Sequence, residues 1–125
     1  MQFTLSPKND IHLDLNASLA EEQCQSVSAE MSPHFRPDSW FRLAGTGSVK
    51  KRETPFGSNP VRIRGPLFFD ASHVPCAPDK EANPARLWLW EIHPVYAIDV
   101  CSETTIAACR IDDESLWTPL NEFEP

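Results

Sequence analysis

The sequence contains no long apolar run. No stretch approaches the roughly 20 apolar residues that a bilayer-spanning helix needs, and the opening MQFTLSPKND lacks the charged start and apolar core of a secretory signal. Glycine is also scarce, with four residues against twelve prolines. Because prolines scattered between apolar runs interrupt long helices, the sequence argues against an all-helical fold as well as a membrane span.

Basic side chains are few. The 11 lysines and arginines are outnumbered by 18 acidic residues, which gives a formal net charge of −7 at pH 7. This charge opposes the general attraction that carries non-specific nucleic-acid binding. Internal repeats are absent too, and 125 residues is the length of one domain. We therefore predict a single domain, residues 1–125, that does not contact a membrane and for which nucleic acid is a disfavoured partner.

Paired C-x-x-C motifs are missing, although the sequence contains four cysteines. Cys24, Cys76, Cys101 and Cys109 permit three disulfide connectivities in an oxidising compartment. Because Cys101 and Cys109 would close a short loop, we predict a disulfide between them. Four reduced thiols in a cytosolic protein are the alternative.

The most regular feature present is period-2 alternation of apolar and polar residues, which indicates β-strands. Five runs show it: DIHLDLNA, QSVSAEMSP, VRIRGPLFFD, LWLWEIHPV and VYAIDVC. An N-cap residue at Asp38 or Ser39 and a glycine at Gly45 predict one short helix in DSWFRLAG. We predict a mainly β fold, a small five-stranded antiparallel barrel of the oligonucleotide/oligosaccharide-binding (OB) type, with one short helix. An open β-sandwich is the rival architecture.

Local signals refine this arrangement. The first two runs are predicted to pair as a hairpin, and Gly65 with Pro66 predicts a bulge or sharp bend in the third run. Near the chain end Trp117, Leu120 and Phe123 follow near-helical spacing. This spacing predicts a C-terminal strap, about residues 110–125, across one end of the barrel.

One face of the predicted strands gathers ionisable side chains. These residues alternate with the apolar residues of their strands and so point to the opposite face. They are His12, Glu30, Arg62, Arg64, Glu91 and His93. Carboxylates hold hard divalent cations, histidine relays protons near neutral pH and arginine neutralises developing charge. The alternative is a solvated face of cross-strand ion pairs, each worth under about 1 kcal/mol. The tryptophans of LWLWEIHPV alternate with these polar residues. Because Trp90 shares a face with Ile92, we predict that Trp90 lies in the core, and a platform on which a base or a sugar stacks is the alternative.

A loop segment, FFDASHVPC, carries Asp70, His73 and Cys76 at every third residue. Such residue types bind zinc. The alternative is that Asp70 caps the turn by accepting hydrogen bonds from the backbone. We retain Asp70 and His73, together with Glu91, as candidate metal ligands.

The segments DIHLDL, AEMSPHFRP, VRIRGPLFFDASHVPC and LWEIHPVYAIDVC resemble a family of small bacterial proteins that share an LFFD..H segment followed by WEIHPV. The family is functionally uncharacterised, many members are exported, and its fold is OB-like. The resemblance implies that six residues belong to one recurring polar cluster: His12, Glu30, Asp70, His73, Glu91 and His93. It also favours export, to the periplasm or the cell exterior, over a cytoplasmic location.

We therefore predict a binding or interaction domain with a polar cluster on one face. His12, Glu30, Arg62 and Arg64 are its candidate binding residues, and the ligand or protein partner is open. A metal-dependent phosphodiesterase or nuclease-like hydrolase is the alternative, with Glu91, His93 and His73 as candidate catalytic residues and a divalent metal ion as cofactor. A purely structural polar network is the third interpretation.

Overall fold

The computed structural model describes residues 10–18, 23–37, 39–40, 56, 58–80 and 82–124, and within them the protein is mainly β. Within these ranges the strands are β1 (Ile11–Leu15), β2 (Val27–Met31), β3 (Val61–Arg64), β4 (Leu67–Phe69), β5 (Trp90–Ile92), β6 (Ala97–Cys101) and β7 (Trp117–Pro119). Short 3₁₀ turns cover Gln23–Gln25 and Glu114–Leu116. No helix within the described ranges has the length and apolar character to cross a membrane.

The strands form two sheets and no closed barrel within the described part of the chain. One sheet has four strands in the order β1-β2-β5-β4, and the other has three in the order β3-β6-β7. β1 and β2 are antiparallel, as the predicted hairpin requires, whereas β2 and β5 run parallel. The prediction of a mainly β fold is confirmed, but the five-stranded OB barrel is wrong.

The barrel prediction fails because one predicted strand, VRIRGPLFFD, is divided between the two sheets. β3 ends at Arg64 in the three-stranded sheet, and β4 begins at Leu67 in the four-stranded sheet. The predicted bend at Gly65 makes this crossing. A Cβ atom on Gly65 would lie 2.5 Å from the Pro94 carbonyl oxygen and 2.7 Å from Ile92 Cγ2, so only glycine fits the close approach of the two crossing segments.

The hydrophobic core lies between the inner faces of the two sheets. Its buried members are Ile11, Ala29, Met31, Trp40, Val95, Ile98, Val100 and Leu120. Cross-strand pairing places Ile63 beside Ile98 and Val61 beside Val100 on one inner face. The predicted alternation is therefore correct for these strands.

The chain end differs from its predicted helical form. Trp117–Pro119 forms β7 and pairs with β6, while Leu120 is buried in the core and Phe123 packs against it. Trp117 lies on the other face of the sheet, where the Arg62 guanidinium stands 4.8 Å from its ring centroid. Most of the predicted helix in DSWFRLAG falls outside the described residues.

Both pairs of cysteines form disulfides. Cys101 is bonded to Cys109, as predicted, and Cys24 is bonded to Cys76. No cysteine is left free. Since disulfides persist in oxidising compartments, the structure favours such an environment over the cytosol.

Candidate functional site

Two residues of β5, Trp90 and Glu91, have the reverse of their predicted exposure, whereas Ile92 packs against the core as predicted. Glu91 is only 1% exposed, whereas Trp90 is 49% exposed, so the assignment of Trp90 to the core is wrong. The period-2 alternation itself holds. What the alternation did not reveal is that the face of Glu91 is covered by the fully buried side chain of Arg86.

A chain of ion pairs crosses this covered face, and we call it the charged network. Its members, in order of contact, are His12, Glu30, His93, Glu91, Arg86, Asp70 and His73. The structure thus brings together all six residues that the family resemblance grouped. The alternative of a solvated face of ion pairs does not hold for Glu30 and Glu91, which are both buried.

Arg86 is the hub of the charged network. Its Nη1 donates hydrogen bonds to Asp70 Oδ2 at 2.9 Å and to Glu91 Oε2 at 3.1 Å. Its Nε and Nη2 are buried without a hydrogen-bond partner among the described residues. The guanidinium therefore occupies the position between Asp70 and Glu91 that the predicted metal ion would take.

Arg86 was missed because it lies in a segment without strand periodicity, ANPARLW. One signal was nevertheless present. A buried carboxylate needs a partner of opposite charge, so a glutamate inside the apolar LWLWEI run calls for a nearby buried cation.

His93 meets three carboxylates. Its Nδ1 lies 3.2 Å from Glu91 Oε1 and 3.3 Å from Glu30 Oε2, and its Nε2 lies 3.7 Å from Asp10 Oδ2. On the other side of Glu30, Oε1 is 3.0 Å from His12 Nδ1. Asp10, which the sequence interpretation did not single out, completes this end of the site.

Burial raises the pKa of Glu30 above its ordinary value. The carboxylates of Glu91 and Asp10 also raise this pKa, while the imidazoles of His12 and His93 oppose the shift. The loss of hydration therefore outweighs the histidine contacts, and the folded protein favours a proton on Glu30 more than the unfolded chain does.

At the other end of the charged network, Asp70 shapes a turn. Its Oδ1 accepts hydrogen bonds from the backbone N–H of Ser72 at 3.0 Å and from the Ser72 hydroxyl, and its Oδ2 contacts His73 Nδ1. The predicted capping role of Asp70 is confirmed. A zinc set of Asp70, His73 and Cys76 is wrong, because the Cys76 sulfur is bonded to Cys24.

The carboxyl group of Asp70 has a lowered pKa in this environment. Burial alone would raise its pKa, but the hydrogen bonds from Ser72 and His73 outweigh burial and hold the pKa well below its ordinary value of 3.8. Ionised Asp70 is therefore the form that the fold favours.

We expect acid to remove the stabilisation that Asp70 provides. Because its pKa is lower in the folded protein, this contribution is complete above the unfolded value of 3.8 and is lost as the pH falls through the folded-state pKa. Asp70→Asn should flatten the decline in unfolding free energy below pH 3.8, measured by urea denaturation at a series of pH values. Asp112→Asn, at an exposed position, should keep the wild-type slope. An unchanged slope in Asp70→Asn would contradict the assignment.

Arg62 and Arg64 do not join the charged network. They lie on the outer face of the three-stranded sheet, where both contact Asp99 Oδ2 and Arg62 also forms a two-bond pair with Glu114. The expectation that they share one surface with the histidines is therefore wrong. The reason is again the bend at Gly65, which separates β3 from the sheet that carries the other residues.

A second surface consists of aromatic side chains on and beside the edge strand β4. We call Phe68, Phe69, Trp88 and Trp90 the aromatic edge, and each is 48–50% exposed. Phe69 pairs with Trp90 across the strands, with ring centroids 5.2 Å apart at an interplanar angle of 64°. Phe68 faces the other side, where its ring centroid is 5.5 Å from that of His93. The aromatic edge therefore adjoins the charged network.

Comparisons with known proteins leave the resemblance to exported bacterial proteins as a prediction. No protein-family model, curated protein or solved structure matches this chain.

Proposed function

We propose that this protein is a binding domain that takes an uncharged oligosaccharide at the aromatic edge. The observation that carries this proposal is the half-exposed pair of Phe69 and Trp90, held edge to face on neighbouring strands. Exposed aromatic side chains that pack against each other on the surface of a small protein mark an interaction site. Two fixed rings offer a platform for the flat, apolar face of a sugar ring, whose C–H groups meet the negative face of an aromatic ring.

The polar surroundings favour a sugar over a protein partner. Charged residues are depleted at the centre of protein–protein interfaces, whereas the aromatic edge borders the charged network, because Phe68, on the opposite face of the strands from Phe69 and Trp90, contacts His93. The net charge of −7 repels nucleic acids and acidic polysaccharides, which leaves neutral glycans as the favoured class.

The charged network supports this surface from beneath. Glu91 lies between Trp90 and Ile92 in β5, and its buried pair with Arg86 fixes which side of the strand faces outward. A ring held in its binding orientation loses little conformational freedom when a ligand docks. In this proposal the structural interpretation of the polar cluster and the binding interpretation are compatible.

The hydrolase alternative loses its predicted ligand set. Asp70 and Glu91 share the Arg86 guanidinium, and a second cation between them would meet a fixed positive charge. The catalytic roles of Glu91, His93 and His73 stay predictions, and we do not build the proposal on them.

The two disulfides support a location outside the cytosol. We propose that the protein functions in an exported, oxidising compartment, as the family resemblance implies. Neutral glycans of cell envelopes and extracellular matrices are available to a protein in such a compartment.

We expect Trp90→Ala and Phe69→Ala each to weaken oligosaccharide binding by about tenfold, because each removes one stacking surface worth about 1–1.5 kcal/mol. Calorimetry against neutral oligosaccharides of glucose, xylose and N-acetylglucosamine measures this. Phe35→Ala is the matched control, since Phe35 is 53% exposed and pairs with Tyr96 rather than with the aromatic edge.

The control should bind as the wild type does. If no neutral oligosaccharide binds, or if the Trp90 and Phe69 variants bind as tightly as Phe35→Ala, the proposal is wrong.

A further inference from the structure

We infer that Asp10, Glu30 and His93 form a binding site for one divalent transition-metal ion, best suited to Zn²⁺. Each of the three residues offers a ligand atom, and these atoms all lie within 4.8 Å of one another. The inference does not depend on the oligosaccharide proposal, because none of these three residues belongs to the aromatic edge.

The distances fit donors arranged around an ion. His93 Nε2 and Asp10 Oδ2 are 3.7 Å apart, which is too long for a hydrogen bond. In a tetrahedral zinc site with metal–ligand bonds of about 2.0–2.1 Å, neighbouring donors are about 3.4 Å apart. The observed separation is therefore closer to that of two ligands of one ion than to that of a donor and its acceptor.

The donors are held by the same sheet. Asp10 directly precedes β1, Glu30 lies within β2 and His93 follows β5, and these three strands are neighbours in the order β1-β2-β5. The side chain of Glu30 pairs across the strands with His12. Ligands placed on neighbouring strands keep their relative positions, so little ordering is needed when an ion binds.

The charged network orients the imidazole of His93. Glu91 Oε1 lies 3.2 Å from Nδ1, and Glu91 is itself held by Arg86. Together with Glu30 Oε2 at 3.3 Å from the same nitrogen, this contact favours the tautomer that carries its proton on Nδ1 and leaves Nε2, 3.7 Å from Asp10 Oδ2, as the ligand atom. A carboxylate behind a ligating histidine is the usual supporting arrangement in metal sites.

The charge balance also favours a cation. Among the described residues, the ion-pair partners of Asp10 and Glu30 are histidines rather than lysine or arginine. A divalent ion would supply the positive charge that two carboxylates lack. One imidazole nitrogen and two carboxylate oxygens suit zinc and its neighbours in the first transition row, and three protein ligands leave the fourth position for water.

The access route is open. The side chains of Asp10 and His93 are 33% and 26% exposed, whereas Glu30 forms the buried floor at 8%. An ion can therefore enter from solvent without unfolding of the sheet.

The test is calorimetric titration of the chelator-treated protein with Zn²⁺, and with Mg²⁺ in parallel. We expect one Zn²⁺ per chain in the wild type, and affinity at least about tenfold lower in Asp10→Asn and in His93→Gln. Two matched controls should retain wild-type affinity: Asp14→Asn, a carboxylate of β1 outside the ligand set, and His34→Gln, an exposed histidine outside the charged network.

Near-UV circular dichroism shows whether each variant is folded. Asp10→Asn alters a partly exposed residue before β1, so it keeps the test valid if His93→Gln does not fold. Replacing Zn²⁺ with Co²⁺ adds a visible spectrum that reports ligand number directly. The inference is overturned if the wild type binds no Zn²⁺, or if Asp10→Asn and His93→Gln bind it as tightly as the controls do.

Discussion

Replacing Arg86 with methionine should lower the free energy of unfolding by about 3–5 kcal/mol. Arg86 is 0% exposed and pairs with two carboxylates that are themselves buried, Asp70 and Glu91. Methionine keeps a flexible apolar side chain in the same space but removes the charge. Two buried carboxylates would then lose their permanent counter-ion, and this uncompensated charge, rather than a cavity, accounts for the loss.

This loss is large relative to the total free energy of unfolding of the protein. Domains of this size are stable by about 5–15 kcal/mol, so the variant loses a substantial part of its margin. Urea denaturation followed by tryptophan fluorescence measures the change, with four tryptophans as the reporters. Arg110→Met is the matched control: Arg110 is 68% exposed and its pairs with Asp112 and Asp113 are 3.9 and 3.6 Å long, so we expect a change within about 0.5 kcal/mol.

A second substitution distinguishes a loss of stability caused by uncompensated charge from one caused by altered packing. Adding Glu91→Gln to Arg86→Met removes one of the two uncompensated carboxylates and should restore part of the lost stability. If Arg86→Met is no more destabilising than Arg110→Met, or if Glu91→Gln adds further loss in its presence, the buried-charge explanation is wrong.

The alternation of apolar and polar residues was sufficient to predict strands and their inner faces. Ile11, Ala29, Ile98 and Val100 lie in the core as the pattern indicates. The same pattern was not sufficient to predict the barrel, because alternation says which residues share a face and nothing about which sheet a strand joins. At Gly65 the chain passes from one sheet to the other, and that passage depends on contacts with Pro94 and Ile92, which are distant in sequence.

The burial of residues in β5 shows a second feature that the sequence pattern does not predict. Hydrophobicity assigns Trp90 to the interior and Glu91 to the exterior, and the structure has the opposite arrangement. Burial of Glu91 becomes favourable only when Arg86, from a segment without periodicity, supplies the opposite charge. The six residues expected to form one polar cluster do lie together, whereas their buried position and the presence of Arg86 between them were not predictable.

Removing the Cys24–Cys76 disulfide should destabilise the protein more than removing Cys101–Cys109. The two bonds close loops with sequence separations of 52 and 8 residues. Restriction of the unfolded chain by loops of these lengths is worth about 4 kcal/mol and about 2.5 kcal/mol, respectively. Urea denaturation of the two double-alanine variants measures both losses under identical conditions, each serving as the control for the other.

The longer bond also secures the charged network. The Cys76 N–H donates a hydrogen bond to the Arg86 carbonyl oxygen at 3.0 Å, so the Cys24–Cys76 bond ties the segment that carries Arg86 to the chain leading into β2. The loss in that variant should therefore exceed the loop-length value, and an equal or smaller loss than in the Cys101–Cys109 variant would contradict this account. Together the two bonds contribute about 6.5 kcal/mol, comparable with the total stability of a small domain. The disulfides therefore supply much of the stability that keeps the ion pairs of the charged network buried. Because disulfides persist in oxidising compartments, we expect the charged network to be most stable there.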